Sequence, residues 1–187
     1  MPRLLPFTFS ALLVVLLLAG CARLVPLPDP VETVASDRWG STQMAGTVAI
    51  TARTVGWDEY PLHRLEPYVT VFFVEVKNQG DDPITFDPRT ALVVDEEGTL
   101  YRPLPPERLE SLLNNGRALP LDVTEAVVYP YDTDIAATLG ALTAGDVAPG
   151  TQVRGAIYFQ RAADWARELT LRLTIGGQTR GFVFRVR

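Results

Sequence analysis

Leu169-Thr170-Leu171-Arg172-Leu173-Thr174-Ile175, then Gly176-Gly177-Gln178, then Phe182-Val183-Phe184-Arg185-Val186-Arg187 is the stretch that decides the fold. Leu169, Leu171, Leu173 and Ile175 share one side and Thr170, Arg172 and Thr174 the other, the period of two that belongs to a strand. Phe182, Phe184 and Val186 repeat the alternation after the glycine pair, so the stretch predicts a β-hairpin with one face in a core. Upstream, Ala148-Pro149-Gly150 is a turn before a strand over Thr151 to Gln160, with Val153, Ile157 and Phe159 among Gly155 and Ala156.

Earlier segments repeat the signal. Thr47 to Val55 alternates, with Val48, Ile50 and Ala52 on one side and Thr47, Thr51 and Arg53 on the other. Tyr68 to Lys77 is apolar on both sides and rich in β-branched and aromatic residues, which predicts the central strand. It stops at the turn Asn78-Gln79-Gly80-Asp81-Asp82-Pro83, and Ile84-Thr85-Phe86 begins the return. Thr90 to Val94 and Thr99 to Arg102 flank Asp95-Glu96-Glu97-Gly98 as a hairpin. Pro105 and Pro106 open a short helix in which Leu109, Leu112 and Leu113 share a face, ended by Asn114-Asn115-Gly116. Asp122 to Tyr129 reads as a further strand, and Asp132 to Ala144 as a second short helix with Leu139 and Leu142 inward. Trp165, beside Ala166 and Leu169, reads as a core plug at the start of a strand.

The expectation is an all-β fold: an antiparallel two-sheet immunoglobulin-like sandwich of seven or eight strands, with one or two short helices inserted between strands. A barrel is the rival. The pattern resembles the immunoglobulin-like domain of unknown function carried by many bacterial lipoproteins and secreted antigens. The resemblance lies in Val69-Thr70-Val71 through Val76-Lys77-Asn78, in Pro83-Ile84, in Glu97-Gly98 with Tyr101, and in Ala148-Pro149-Gly150 with Gly155-Ala156-Ile157-Tyr158-Phe159. It covers about Val69 to Ile175. The insertion from Pro105 to Asp146 is longer than that pattern usually carries.

At the other end of the chain, Ala11-Leu12-Leu13-Val14-Val15-Leu16-Leu17-Leu18-Ala19-Gly20-Cys21 follows the positive charges of Met1 and Arg3. This apolar run falls short of the ~20 residues of a membrane-spanning helix and reads as an export signal. Leu18-Ala19-Gly20-Cys21 resembles the lipobox of bacterial lipoproteins, which implies cleavage before Cys21 and a diacylglyceryl group on its sulfur. The implied organisation is a removed signal peptide at 1–20, a lipid anchor and Pro-rich tether at 21–46, and the immunoglobulin-like domain at 47–187. The tether expectation rests on Pro26, Pro28 and Pro30 and the polar run to Gly46, which as coil reaches ~80 Å at ~3.3 Å per residue. The competing expectation packs Val31, Val34 and Trp39 on the domain as an edge segment.

Composition narrows the function. The net charge of −5 becomes −6 once Arg3 leaves with the signal, which argues against nucleic acid and against electrostatic adhesion to anionic lipid. Sixteen arginines against the single Lys77 are scattered, and no cluster reads as a phosphate site. Cys21 is the only cysteine, so lipidation leaves no thiol for a disulfide, a metal or a nucleophile. The single histidine, His63, builds neither a zinc site nor, with Ser36, Ser41 and Ser111 placed as they are, a catalytic triad. Carboxylate groups at Asp95, Glu96 and Glu97, at Asp81, Asp82 and Asp87, and at Asp132 with Asp134 offer acid–base or calcium chemistry, but turn chemistry explains each more simply. Gly176-Gly177 with Gly181 are hairpin glycines. Two aromatic groups, Trp57, Tyr60 and Tyr68, and Tyr129 with Tyr131, either form a shallow face for sugar or peptide or pack over the sandwich end.

The expected protein is a non-enzymatic, lipid-anchored envelope lipoprotein. It has no catalytic, cofactor or metal residues, uses Cys21 for lipid attachment and has no transmembrane span in the mature chain. Its expected partners are the membrane, through Cys21, and another envelope protein. Ala22 lacks the aspartate associated with inner-membrane retention, so the resemblance favours the outer membrane where the cell has one. The alternative is a carbohydrate-binding or carboxylate-dependent hydrolytic envelope protein.

Overall fold

The computed structural model describes residues 24–54, 68–105, 108–109, 112 and 140–186. Among them are twelve strands: β1 (Leu24–Leu27), β2 (Thr33–Ser36), β3 (Gly40–Ala45), β4 (Val48–Arg53), β5 (Val69–Asn78), β6 (Ile84–Phe86), β7 (Leu92–Asp95), β8 (Leu100–Tyr101), β9 (Gly145–Val147), β10 (Gln152–Gln160), β11 (Glu168–Ile175) and β12 (Gln178–Val186). One five-stranded sheet has the order β1-β12-β11-β7-β8, the other β10-β5-β4-β3-β2, and β6 pairs with β9. All the ladders are antiparallel. The chain crosses between the two large sheets after β1, β5, β8 and β10, so the two antiparallel sheets form a sandwich of the immunoglobulin-like kind.

The core is built from the alternating positions. Leu169, Leu171, Leu173 and Ile175 of β11 and Phe182 and Phe184 of β12 are buried against Ile50 and Ala52 of β4, Phe72, Val74 and Val76 of β5, and Ile157 and Phe159 of β10. Phe72 joins the layers: its ring centroid lies 4.9 Å from that of Phe184 in the opposite sheet and 6.0 Å, edge on, from that of Phe159 in its own. The doubly apolar sequence of β5 has a structural cause. Its even residues face the sandwich core, while Val69 and Val71 belong to a second cluster with Ala156, Tyr158 and Leu109, joined by Tyr68, Phe73, Leu104, Leu112 and Ala141. Pro105 accepts from Arg108 N and Leu109 N at 2.9 and 3.3 Å, and this helical turn drops Leu109 and Leu112 onto the outside of the sheet. β5 is therefore interior on both faces.

Three expectations are corrected. The segment 21–46 is not a tether through its described part, because β1, β2 and β3 occupy most of it. Pro26 is tolerated because β1 is an edge strand, paired on one side with β12. Polar Ser41 and Gln43 alternate inward on β3, and Gln43 Nε2 donates to Gly181 O at 2.8 Å. Gly40 is needed where β3 meets β4, since a Cβ there would lie 2.3 Å from Ala52 O. The competing edge-segment expectation holds for the segment, since β1 and β2 are edge strands of the two sheets and Trp39 is partly buried, but not for Val31 and Val34, which are exposed.

The second correction concerns the helix expected over Asp132 to Ala144, whose described part, 140–144, is not helical. Ala156 N donates to Gly140 O at 2.7 Å and Leu142 N to Ala156 O at 2.9 Å, so this segment runs along the free edge of β10 and continues into β9. Gly155 makes room, because a Cβ there would lie 2.8 Å from Gly140 O. Leu142 does pack on the core, as expected. Thirdly, Trp165 is no core plug: it is 50% exposed, and Ala166 takes the buried position. The turn closed by Ala166 N and Ala163 O points the larger neighbour outward. The strand expected at Asp122 to Tyr129, Leu139, and Leu113 with Asn114-Asn115-Gly116 lie outside the described residues.

Candidate functional site

Cys21 lies outside the described residues, and β1 begins three residues after it at Leu24. Leu24 sits opposite Val186 at the end of β12, which fixes the end of the sandwich where the chain enters. Thr54 Oγ1 donates to Leu24 O at 3.0 Å and lies 3.2 Å from Trp39 O, so the β2–β3 turn is at the same end. The turn itself is an Asx turn. Asp37 Oδ1 accepts from Trp39 N and Gly40 N at 2.8 and 2.9 Å, while Oδ2 takes Arg53 at 2.7 Å. The backbone bond from Trp39, with smaller contributions from Gly40, Arg53 and Arg38, holds this carboxyl below its usual range against the opposing effect of burial. Arg38 lies over the Trp39 ring at 4.6 Å.

The β7–β8 hairpin brings the first carboxylate group to this end. Asp95 is buried; its Oδ1 accepts from Glu97 N and Thr99 N at 3.0 and 2.8 Å, and its Oδ2 from Tyr101 Oη at 2.8 Å. Burial raises its pKa, but these bonds together outweigh it and leave the carboxyl lowered. Burial, aided by the charge of Asp95, raises the Tyr101 phenol. Glu96 reaches across to the loop between β10 and β11, accepting from Arg167 N at 2.8 Å and Glu168 N at 3.1 Å, and those bonds lower it too. A carboxylate held ionised by fixed donors is a structural acceptor; a general acid needs the opposite shift.

Among the described residues the other carboxylates do not converge. Asp81 and Asp82 are exposed in the turn after β5, where Asn78 Nδ2 donates to Asp82 O at 2.7 Å and to Val147 O at 2.9 Å. Asp87 caps the short 3-10 turn Pro88–Thr90 and binds Arg89 through both oxygens, and this side-chain bonding lowers its pKa. Among the described residues no three His, Cys, Asp or Glu come together as a metal site. His63, Ser111, Trp57, Tyr60, Tyr129, Tyr131, Asp132 and Asp134 lie outside the described residues. Ser36 is exposed on β2, Ser41 is buried on β3, and Tyr68 packs on the second cluster.

A cleft of about 300 Å³ lies beside β10, lined by Pro88, Pro103, Leu104, Leu109, Leu142 and Tyr158, with Arg89 on its wall. Among the described residues no carboxylate lines it, and burial pushes the Tyr158 phenol up, so it is neutral. Its chemistry is that of an apolar recess suited to one or two hydrocarbon side chains. Sequence reading missed it because Pro88, Leu104 and Tyr158 are far apart along the chain. Two partners were also missed, Tyr101 for Asp95 within the same hairpin and the distant Arg167–Glu168 backbone for Glu96.

Among the described residues no helix is long and apolar enough to cross a membrane. No family model matches the chain, and no curated protein matches it. Among solved structures, the chain is similar to the crystal structure of the yjhA protein from Bacillus subtilis, at 17% identity and a TM-score of 0.42, over 71% of this chain and 76% of that one.

Proposed function

We infer that this chain is a lipid-anchored envelope lipoprotein, acylated at Cys21, whose immunoglobulin-like sandwich binds or supports another envelope component without catalysing a reaction. The observation that supports it is the position of β1, whose first residue, Leu24, lies three residues beyond the cysteine of the lipobox-like Leu18-Ala19-Gly20-Cys21. Leu24 pairs with Val186 at the rim of the sandwich, so a chain anchored three residues earlier leaves the domain without crossing its core. Two or three acyl chains give lasting attachment, where one is marginal. The binding role is supported by the chemistry of the described carboxylates: Asp95 and Glu96 are committed to fixed donors and held ionised. The apolar cleft beside β10 offers a seat for a hydrocarbon side chain of a partner. Ala22 after the cysteine favours the outer membrane where the cell has one.

The test is labelled-palmitate incorporation with membrane fractionation of the wild type and of Cys21→Ser. The wild type is expected to be labelled and membrane-bound, and the variant unlabelled and released from the acylated pool. A labelled, membrane-bound Cys21→Ser protein contradicts the assignment. The binding role is tested by crosslinking intact envelopes and identifying what is captured by the wild type and lost on Leu104→Arg.

A further inference from the structure

We propose that the Leu24 end of the sandwich is a lipid-facing surface, with Trp165 and the Arg38–Trp39 pair seated at the headgroup level of the bilayer that holds Cys21. This rests on the lipid-anchored reading above and adds an orientation to it.

The geometry follows from reach and register. Three residues span at most ~11 Å from an acylated Cys21 to Leu24, so the end of the sandwich carrying Leu24 lies within reach of the headgroups. The ladders place at that same end the start of β11, the close of β7 with its Asp95–Thr99 turn, the end of β10 and the start of β5. The loop from Arg161 to Arg167 therefore faces the bilayer. Its apex carries Trp165, 50% exposed.

The loop is strapped by three side chains through four bonds. Ala162 N donates to Thr70 Oγ1 at 2.9 Å, Ala163 N to Tyr101 Oη at 3.2 Å, and Arg167 N and Glu168 N to the Glu96 carboxylate. Fixed long-range bonds thus hold a large indole in solvent at the end nearest the anchor. Trp is favoured at a membrane–water interface, where its ring is apolar and its N–H can stay wet. Trp39, half-buried under Arg38, presents a cation over an aromatic face at the same end.

Charge permits the contact. Among the described residues at this end, Arg38, Arg53, Arg102, Arg161, Arg167 and Arg185 stand beside Asp37, Glu96, Glu97, Asp164 and Glu168, with Asp95 enclosed in its turn. A near-balanced end avoids the repulsion that an acidic one would meet at anionic headgroups. The opposite end is distinguishable, because Gln178 stands eight residues up β12 from Val186, ~27 Å away at ~3.4 Å per residue.

The experiment uses full-length acylated protein reconstituted into phosphatidylcholine vesicles brominated near the carbonyl end of the acyl chains. One variant, Trp39→Phe with Trp57→Phe, leaves Trp165 as the sole indole. A second adds Trp165→Phe and Gln178→Trp. Trp165 emission is expected to shift to the blue and to lose about half its intensity to bromine, while the Gln178→Trp reporter stays unquenched. Unquenched Trp165 in protein whose mass shows acylated Cys21 overturns the orientation and leaves the anchor standing, as does equal quenching of both reporters. Absence of acylation overturns both.

Discussion

The buried amide of Asn78 offers a demanding test of the fold. Its side chain is fully enclosed, donates from Nδ2 to Asp82 O and Val147 O at 2.7 and 2.9 Å, and accepts from Gly80 N at 2.9 Å. These bonds tie the turn after β5 to β9. Asn78→Asp keeps the shape and removes the donors: an ionised carboxylate would face two carbonyl oxygens, whereas the neutral acid can donate to one of them. The folded-state pKa of the new group is therefore raised above the ~3.9 of an unfolded aspartate. A raised carboxyl binds more protons folded than unfolded, so stability relative to the wild type is highest below the unfolded value and is lost as pH rises through the folded one. A shift of ~3 pKa units, ordinary for an enclosed carboxyl, corresponds to about 4 kcal/mol, a large part of the ~5–15 kcal/mol that holds a domain together. Asn78→Ala lacks the titration and should cost about 2–4 kcal/mol at any pH by orphaning two or three backbone groups. Denaturant melts from pH 4 to pH 8, each referred to wild type at the same pH, separate the two. An Asn78→Asp deficit that stays constant across that range, or never exceeds that of Asn78→Ala at neutral pH, refutes the reasoning.

Gly155→Ala should push residues 140–142 off the edge of β10 and cost about 1–3 kcal/mol, because the added Cβ meets the backbone of Gly140 and Leu142 at 2.8 and 2.9 Å. Hydrogen exchange at Ala156 and Leu142 should accelerate, and unchanged protection there would count against the close approach. Phe72→Ala removes the ring between the layers and should cost about 3–5 kcal/mol, read as a lower denaturant midpoint; a loss under about 1 kcal/mol would mean that the sheets are not joined there. Asp37, Asp87, Asp95 and Glu96 all have lowered carboxyls. Their stabilisation is present above the unfolded values near 4 and is lost as pH falls through the folded ones, so the wild-type melting temperature should drop below about pH 4. A melting temperature that rises on acidification would contradict this.

What was legible in the sequence is what alternates. β4, β11 and β12 declare themselves because each inward position is apolar, and β5 because both of its faces are covered. β3 did not, since Ser41 and Gln43 enter the interior as polar groups whose burial depends on partners elsewhere in the chain. β1 was hidden by Pro26, which only an edge position accommodates, and β9 by its length of three residues. Trp165 was misassigned because hydrophobicity alone cannot say which of two neighbours a turn will expose. The turn role of Asp95 was readable from Asp95-Glu96-Glu97-Gly98, whereas the straps from Glu96 to residues 71 and 72 positions later had no local signal.

The central claim is that the sandwich begins where a lipid anchor ends, and intact-mass measurement of the protein extracted from native membranes tests it most directly. The account predicts a chain starting at Cys21, heavier than the bare polypeptide by a diacylglyceryl group and its accompanying acyl chain. A full-length chain retaining Met1 and an unmodified Cys21 thiol would contradict it.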